Sequence, residues 1–270
     1  MNNPFSLTGR LNKLRTELQW PVNYYFPSHP TPVLLNDWLG KSITLKFAGE
    51  IQCIQCDRHI KKSFQQGYCY PCLQKLYECN LCVIHPEKCR YHEGRCNPND
   101  WFHAHCGQPH VVYLANSSTL KVGITRSSHI PSRWIDQGAT QGLVIAKVSN
   151  RHQAGQIEVI CKKHLADKTH WQAMLKQDAE DIDLRHEQQT LFQKIQGELE
   201  SLSFSQEIVW EADTHEKIQY PVLEYPKKIK TLDFHQQAQI TGTLLGIKGQ
   251  YLILDTGVLS LRKFAGYLLC

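Results

Sequence analysis

Short alternations of apolar and polar residues open the chain: Leu7, Leu11 and Leu14, then Ile43, Leu45 and Phe47, with turn signals at Pro27, Pro30 and Gly40. Alternation at period two puts one set of side chains on one face of an extended strand, so residues 1–50 are expected to form β-strands. Residues 204–270 repeat the pattern, with an apolar run at 250–255 and a Thr256-Gly257 turn before a further strand. The two ends also share words. Thr8-Gly9-Arg10-Leu11 resembles Thr241-Gly242-Thr243-Leu244, and Lys46-Phe47-Ala48-Gly49 recurs as Lys263-Phe264-Ala265-Gly266. The expectation is that both ends form related β units that pack together, as halves of one barrel or sandwich.

Between the ends the period changes. Apolar runs on either side of Asn116-Ser117-Ser118-Thr119 predict a β-hairpin, and Pro131 with Ser132 suits the first turn of a helix. Residues 143–148 predict a third strand and 153–165 a second helix, in the order β-β-α-β-α. Leu184, Leu191, Ile195 and Leu202 keep near-helical spacing, with Asp178, Asp181 and Asp183 on the N-terminal side where a helix dipole favours them. The predicted class is α+β and multidomain. Its segments are an N-terminal β segment (1–50), a cysteine-rich module (51–108), the β-β-α-β-α domain (109–176), a helical connector (177–203) and a C-terminal β segment (204–270).

At 270 residues, two or three compact units are expected, and 41% hydrophobic against 20% charged residues excludes wholesale disorder. No run of about 18 apolar residues occurs, which argues against a membrane-spanning helix, and residues 1–18 carry no long apolar stretch of the signal-peptide kind. A cytoplasmic protein with no membrane partner is the expectation.

Nine of the eleven cysteines fall between Cys53 and Cys106. In a reducing compartment that density points to metal rather than disulfides. Cys53-x2-Cys56 and Cys69-x2-Cys72 are two knuckles separated by twelve residues, the pattern of a closed tetrahedral zinc site with no position left for water. A second knuckle group begins at Cys79-x2-Cys82, followed by His85, Cys89, His92, Cys96, His105 and Cys106. Spacing does not choose the two further ligands, and five cysteines suit a second zinc or an iron–sulfur cluster.

Charge is unevenly spread. Residues 109–176 hold nine Lys and Arg against three Asp and Glu, whereas 177–270 hold nine against fourteen. The overall net charge is +5, and two four-thiolate zinc sites would bring it to about +1, so the local excess is the better pointer to a polyanion. Within it, Lys121, Arg126, Arg133, Arg151, Lys162 and Lys163 are the candidate nucleic-acid contacts.

The segment 110–165 resembles the GIY-YIG nuclease domain. Val111-Val112-Tyr113 stands at its first tripeptide and Lys121-Val122-Gly123 at its second, with lysine in place of the second tyrosine as in phage-associated branches. Arg133 matches the arginine of the family's first helix and Glu158 the glutamate of its second. The resemblance implies a phosphodiester-cleaving enzyme in which Tyr113 is the base, Glu158 binds Mg2+ or Mn2+, and Arg133 faces the developing charge. Lys121 and Arg126 would be further phosphate contacts. The whole chain also resembles a bacterial protein family of unknown function. The alternatives are a DNA- or RNA-binding protein that keeps the fold without the chemistry, an iron–sulfur or redox protein, and an adaptor using the acidic C-terminal segment. No glycine-rich phosphate loop is present, and Trp134 and Cys161 are expected in the core.

Overall fold

A computed structural model describes residues 5–27, 31–96, 99–165, 170–210 and 214–270, the side chain of His92 excepted. In chain order its principal elements are β1 (Ser42–Gln52), α1 (Tyr70–Lys75), α2 (Leu81–Ile84), α3 (Asp100–His105), β2 (His110–Asn116), β3 (Leu120–Arg126), α4 (Ser132–Asp136), β4 (Gln141–Val148), α5 (Arg151–Lys162), α6 (Leu184–Glu200), β5 (Gln239–Lys248), β6 (Tyr251–Leu254), β7 (Gly257–Ser260) and β8 (Tyr267–Leu269). They fall into two units, one of residues 1–76, 175–177 and 218–270, the other of 77–174 and 178–217. No helix among the described residues is long and apolar enough to cross a membrane.

The first unit carries an eight-stranded sheet whose main path runs β7-β6-β5-β1-β8 and ends on strand Gly9–Arg10. The two chain ends therefore meet in one sheet: β1 pairs antiparallel with β5, Thr44 opposite Thr241 and Leu45 opposite Ile240. Alternation along β5 buries Ile240 and Leu244, the single-face pattern of a half-covered antiparallel sheet, whereas β1 buries Ile43, Thr44 and Leu45 in a row. The shared words, however, are not a structural repeat. Lys46–Gly49 lies inside β1, while Lys263-Phe264 belongs to a 3-10 turn, Arg262–Phe264, ahead of β8. What the words share is a left-handed final glycine, at φ +84° for Gly49 and +91° for Gly266. The partner strand, rather than the tetrapeptide, decides the rest.

In the second unit the order β2-β3-α4-β4-α5 follows the sequence expectation. β2 is the centre of an antiparallel sheet, paired to β3 on one side and β4 on the other. Every residue of β2 is buried. Its even-numbered side chains, Val112 and Leu114, join Val122, Ile124, Leu143 and Ile145 in a core with Ile157 and Cys161 of α5 and Leu191 and Ile195 of α6. Its odd-numbered side chains point to the other face, where Tyr113 meets the buried Trp134 of α4 edge-on at 6.0 Å. Asn150 caps α5 by accepting from the Gln153 amide, and Asp183 caps α6 by accepting from Arg185 and His186.

Candidate functional site

The first centre is built on the end of β1. The chain leaves the strand at Cys53, turns through Cys56 and Asp57, and returns to begin α1 at Cys69 and Cys72. Asp57 has φ +56°, the left-handed conformation that lets the first knuckle close, and its amide donates to the Cys53 carbonyl at 3.0 Å. Gly67 precedes the second knuckle at φ +125°, and a Cβ there would stand 2.6 Å from Ile54 Cγ2. The four sulfurs all lie within 4.8 Å of one another, two of them buried. Cys56 Sγ is 3.8 Å from Cys69 Sγ. Sulfurs at about 2.3 Å from a tetrahedral zinc stand about 3.8 Å apart, so the set fits that ion. Backbone amides point at the sulfurs: Cys69 donates to Cys53 Sγ at 3.3 Å and Cys72 to Cys69 Sγ at 3.4 Å. Burial works against a thiolate at Cys53, yet amides of Cys69, Gln55 and Cys56 outweigh it and bring the thiol down to about 6. Cys72 moves the other way, raised by its neighbour Cys69 and by burial. The four-cysteine cluster can hold one zinc ion.

Cys79, Cys82, Cys89, Cys96 and Cys106 belong to the other unit. Two of the histidines considered with them are engaged elsewhere. His85 faces Glu87 at 3.4 Å, and His105 Nδ1 bonds the Trp101 carbonyl at 2.8 Å while its ring stacks on Trp101. His92 lies, by its side chain, outside the described residues.

The third group of candidates surrounds Tyr113. Register places Tyr113 opposite Gly123, and Lys121, two residues back on β3, on the same face opposite Ala115. The Tyr113 hydroxyl donates to Gln137 Oε1 at 3.2 Å. Arg133 lies on α4, its Nε buried without an acceptor. Its guanidinium is held more firmly protonated by Tyr113, against its own burial, with Asp136 and Glu158 adding to the effect. Glu158 of α5 is 8% exposed, and Lys162, one turn on, reaches it at 3.3 Å. Burial raises the Glu158 carboxyl above its ordinary value, while Lys162 and Arg151 oppose the rise.

Arg133 feels the charge of Tyr113, Asp136 and Glu158, and Glu158 that of Lys162 and Arg151. Lys121 is on the face of Tyr113 but only 4% exposed. Arg126 donates to the Ala104 carbonyl at 3.1 Å and lies against His129. Lys163 is turned away, paired with Glu198 of α6. Gln137 is the participant the sequence did not mark; no local pattern distinguishes an acceptor for a tyrosine twenty-four positions away.

A family model described as a protein of unknown function, DUF2797, matches residues 40–269. No curated protein and no solved structure matches the chain. Since the match spans most of the length, both the four-cysteine centre and the Tyr113 cluster lie inside it, and the chain belongs to the DUF2797 family.

Proposed function

We propose that this protein binds nucleic acid and that the Tyr113–Arg133–Glu158 cluster receives a phosphodiester and cleaves it. What supports the reading is that the Arg133 guanidinium feels both the phenol of the hairpin, Tyr113, and the carboxylate of the following helix, Glu158. Those are the positions that the resemblance to the GIY-YIG domain marks.

Glu158 is the one carboxylate of the cluster that could hold a divalent cation, and its burial and its pair with Lys162 both compete with the ion. Mg2+ takes one or two carboxylates and completes its shell with water and substrate oxygens, and Glu158 supplies one carboxylate. When bound, the cation steadies negative charge on the phosphate. The chain does the rest. Tyr113 is the group that takes the proton of the water whose oxygen attacks phosphorus. Arg133 faces the charge that gathers on the phosphate oxygens while the bond to the leaving oxygen breaks. Gln137 orients Tyr113, and Lys121, on the same face, supplies positive charge for the backbone of the polymer.

One observation favours recognition without turnover: Lys162 already neutralises Glu158, and Tyr113 is fully buried. The deciding experiment is a panel of labelled single-stranded, duplex, branched and structured DNA and RNA, incubated with Mg2+ or Mn2+ beside Glu158→Gln. Metal-dependent cutting lost in Glu158→Gln supports the nuclease. Salt-sensitive binding without cutting supports recognition alone. Neither binding nor cutting on any substrate overturns the proposal.

A further inference from the structure

The cysteines from 79 to 106 are independent of the phosphodiester reading, and their surroundings are specific. Three segments bring them together at the start of α5. Arg151, its first residue, donates through its backbone amide to the Cys106 carbonyl at 2.9 Å and through Nη2 to the carbonyl of Val83, next to Cys82. One turn on, Gly155 lies under the turn Pro86–Lys88 that leads into Cys89. A Cβ at 155 would stand 2.8 Å from Pro86 Cβ and 2.9 Å from the Glu87 nitrogen, so only glycine lets the turn come so close. The Tyr91 and Phe102 rings stack at 4.3 Å, tying the segment after Cys89 to the helix before Cys106. Cys89 and Cys106 line one cleft of about 490 Å3 with Tyr91, Phe102, Asn150 and His152.

We propose that Cys82, Cys89, Cys96 and Cys106 form a second tetrahedral zinc site, spaced x6, x6 and x9, which fastens the cysteine loop to the N-terminus of α5.

Geometry brings three of the thiols to the start of α5. Cys82 adjoins Val83, whose carbonyl Arg151 holds, and Cys89 and Cys106 line the same cleft, with Cys96 in the segment between them. In the first centre all four sulfurs are within 4.8 Å of one another, whereas this set is more open, so the ion would draw it closed.

The surrounding charge fits as well. Four thiolates around Zn2+ carry two net negative charges, and an interior site needs cations nearby. Arg151 is the cation in place, its backbone amide on the Cys106 carbonyl and its Nη2 on the Val83 carbonyl. Arg151 Nε is buried with no hydrogen-bond acceptor. Thiolate sulfurs of a zinc site would give this guanidinium the counter-charge that a buried cation requires.

The test is zinc and iron content of the full-length chain by plasma mass spectrometry, beside Cys106→Ser, Cys89→Ser and Cys79→Ser. The expected result is two zinc ions per wild-type chain, one in Cys106→Ser and in Cys89→Ser, and two in Cys79→Ser. One zinc in the wild type, iron in place of zinc, an unchanged count in Cys106→Ser or a loss in Cys79→Ser overturns the assignment. Where a variant does not fold, alkylation of the native wild-type chain decides. Protection of Cys82, Cys89, Cys96 and Cys106 that is lost together on chelation supports the site. Ready labelling of any of the four before chelation overturns it.

Discussion

The Tyr113 phenol covers Gly123, its register partner across the hairpin, so closely that a Cβ at 123 would stand 2.6 Å from Oη and 2.7 Å from Cζ. The second tripeptide of the hairpin thus ends in glycine because a tyrosine ring occupies the space above it. Gly123→Ala is expected to cost about 1–3 kcal/mol through overpacking and to displace the hydroxyl from Gln137. Urea unfolding measures the first effect. A variant as stable as wild type would show that the ring moves aside freely.

Serine at Cys69 breaks the first centre. The expected outcome is loss of one zinc and a fall in thermal midpoint of about 10 °C or more, because structural zinc binding is part of the folding free energy. Cys270→Ser, at an exposed position, serves as control and leaves both readouts unchanged.

His110 is fully buried, its Nδ1 on the Gln108 carbonyl at 2.8 Å, and burial lowers its imidazole from 6.5 to about 4, with the charges of Arg151, Arg126 and His129 adding. Between those values the unfolded chain binds the extra proton. Stability from neutral His110 is therefore complete above about pH 6.5 and lost as pH falls toward 4, by about 3 kcal/mol in all. Urea midpoints followed from pH 7 to 4 should fall less steeply in His110→Gln than in wild type; parallel curves would contradict the assignment.

Glu158 gives the opposite slope. Its carboxyl is raised, first by burial, so the folded state holds a proton that the unfolded state has already released. Its contribution is complete below the ordinary carboxylate range and is lost as pH rises through the folded value. Glu158→Gln should consequently gain stability relative to wild type between pH 4 and 7. A gain that shrinks with rising pH would mean that the Lys162 pair outweighs burial.

On the proposed function, two of the basic residues should differ in their part in binding. Lys163 is engaged by Glu198, so Lys163→Ala should change nucleic-acid affinity by no more than about twofold, whereas Arg133→Ala should weaken it about tenfold. Fluorescence anisotropy at several salt concentrations reads both. Equal losses would move the contact surface away from Tyr113.

Much of the second unit was legible because its signals are local. Strand alternation, the Asn116–Thr119 turn and Pro131 mark the β-β-α-β-α order without any long-range information. The first four cysteines were legible for the same reason, since two knuckles carry their geometry in their spacing. The end-to-end pairing was anticipated, but not its form. Thr44 and Thr241 share a hydrogen bond at 2.9 Å across 197 residues, and no tetrapeptide encodes a partner that far away. Helix α3 within the cysteine stretch was also missed, because its cap, Asn99 accepting from Phe102, sits among residues dominated by cysteine and histidine. The neighbours of Arg151 were invisible for a third reason. An arginine opening a helix looks like solvated surface until the chain that covers it is known.

Because β1 ends at Gln52 and β5 begins at Gln239, the whole second unit is made between the two strands that form the centre of the first sheet. At about 5–20 residues per second, a ribosome keeps β1 waiting roughly 10–40 s for its partner. Over that interval Ile43 and Leu45 have no β5 to cover them, while the hairpin and helices of the second unit can fold from contacts close in sequence. A chaperone acting on the nascent chain would thus meet an apolar strand paired to Phe5–Leu7 along one edge and open along the other, long before the last strands are made.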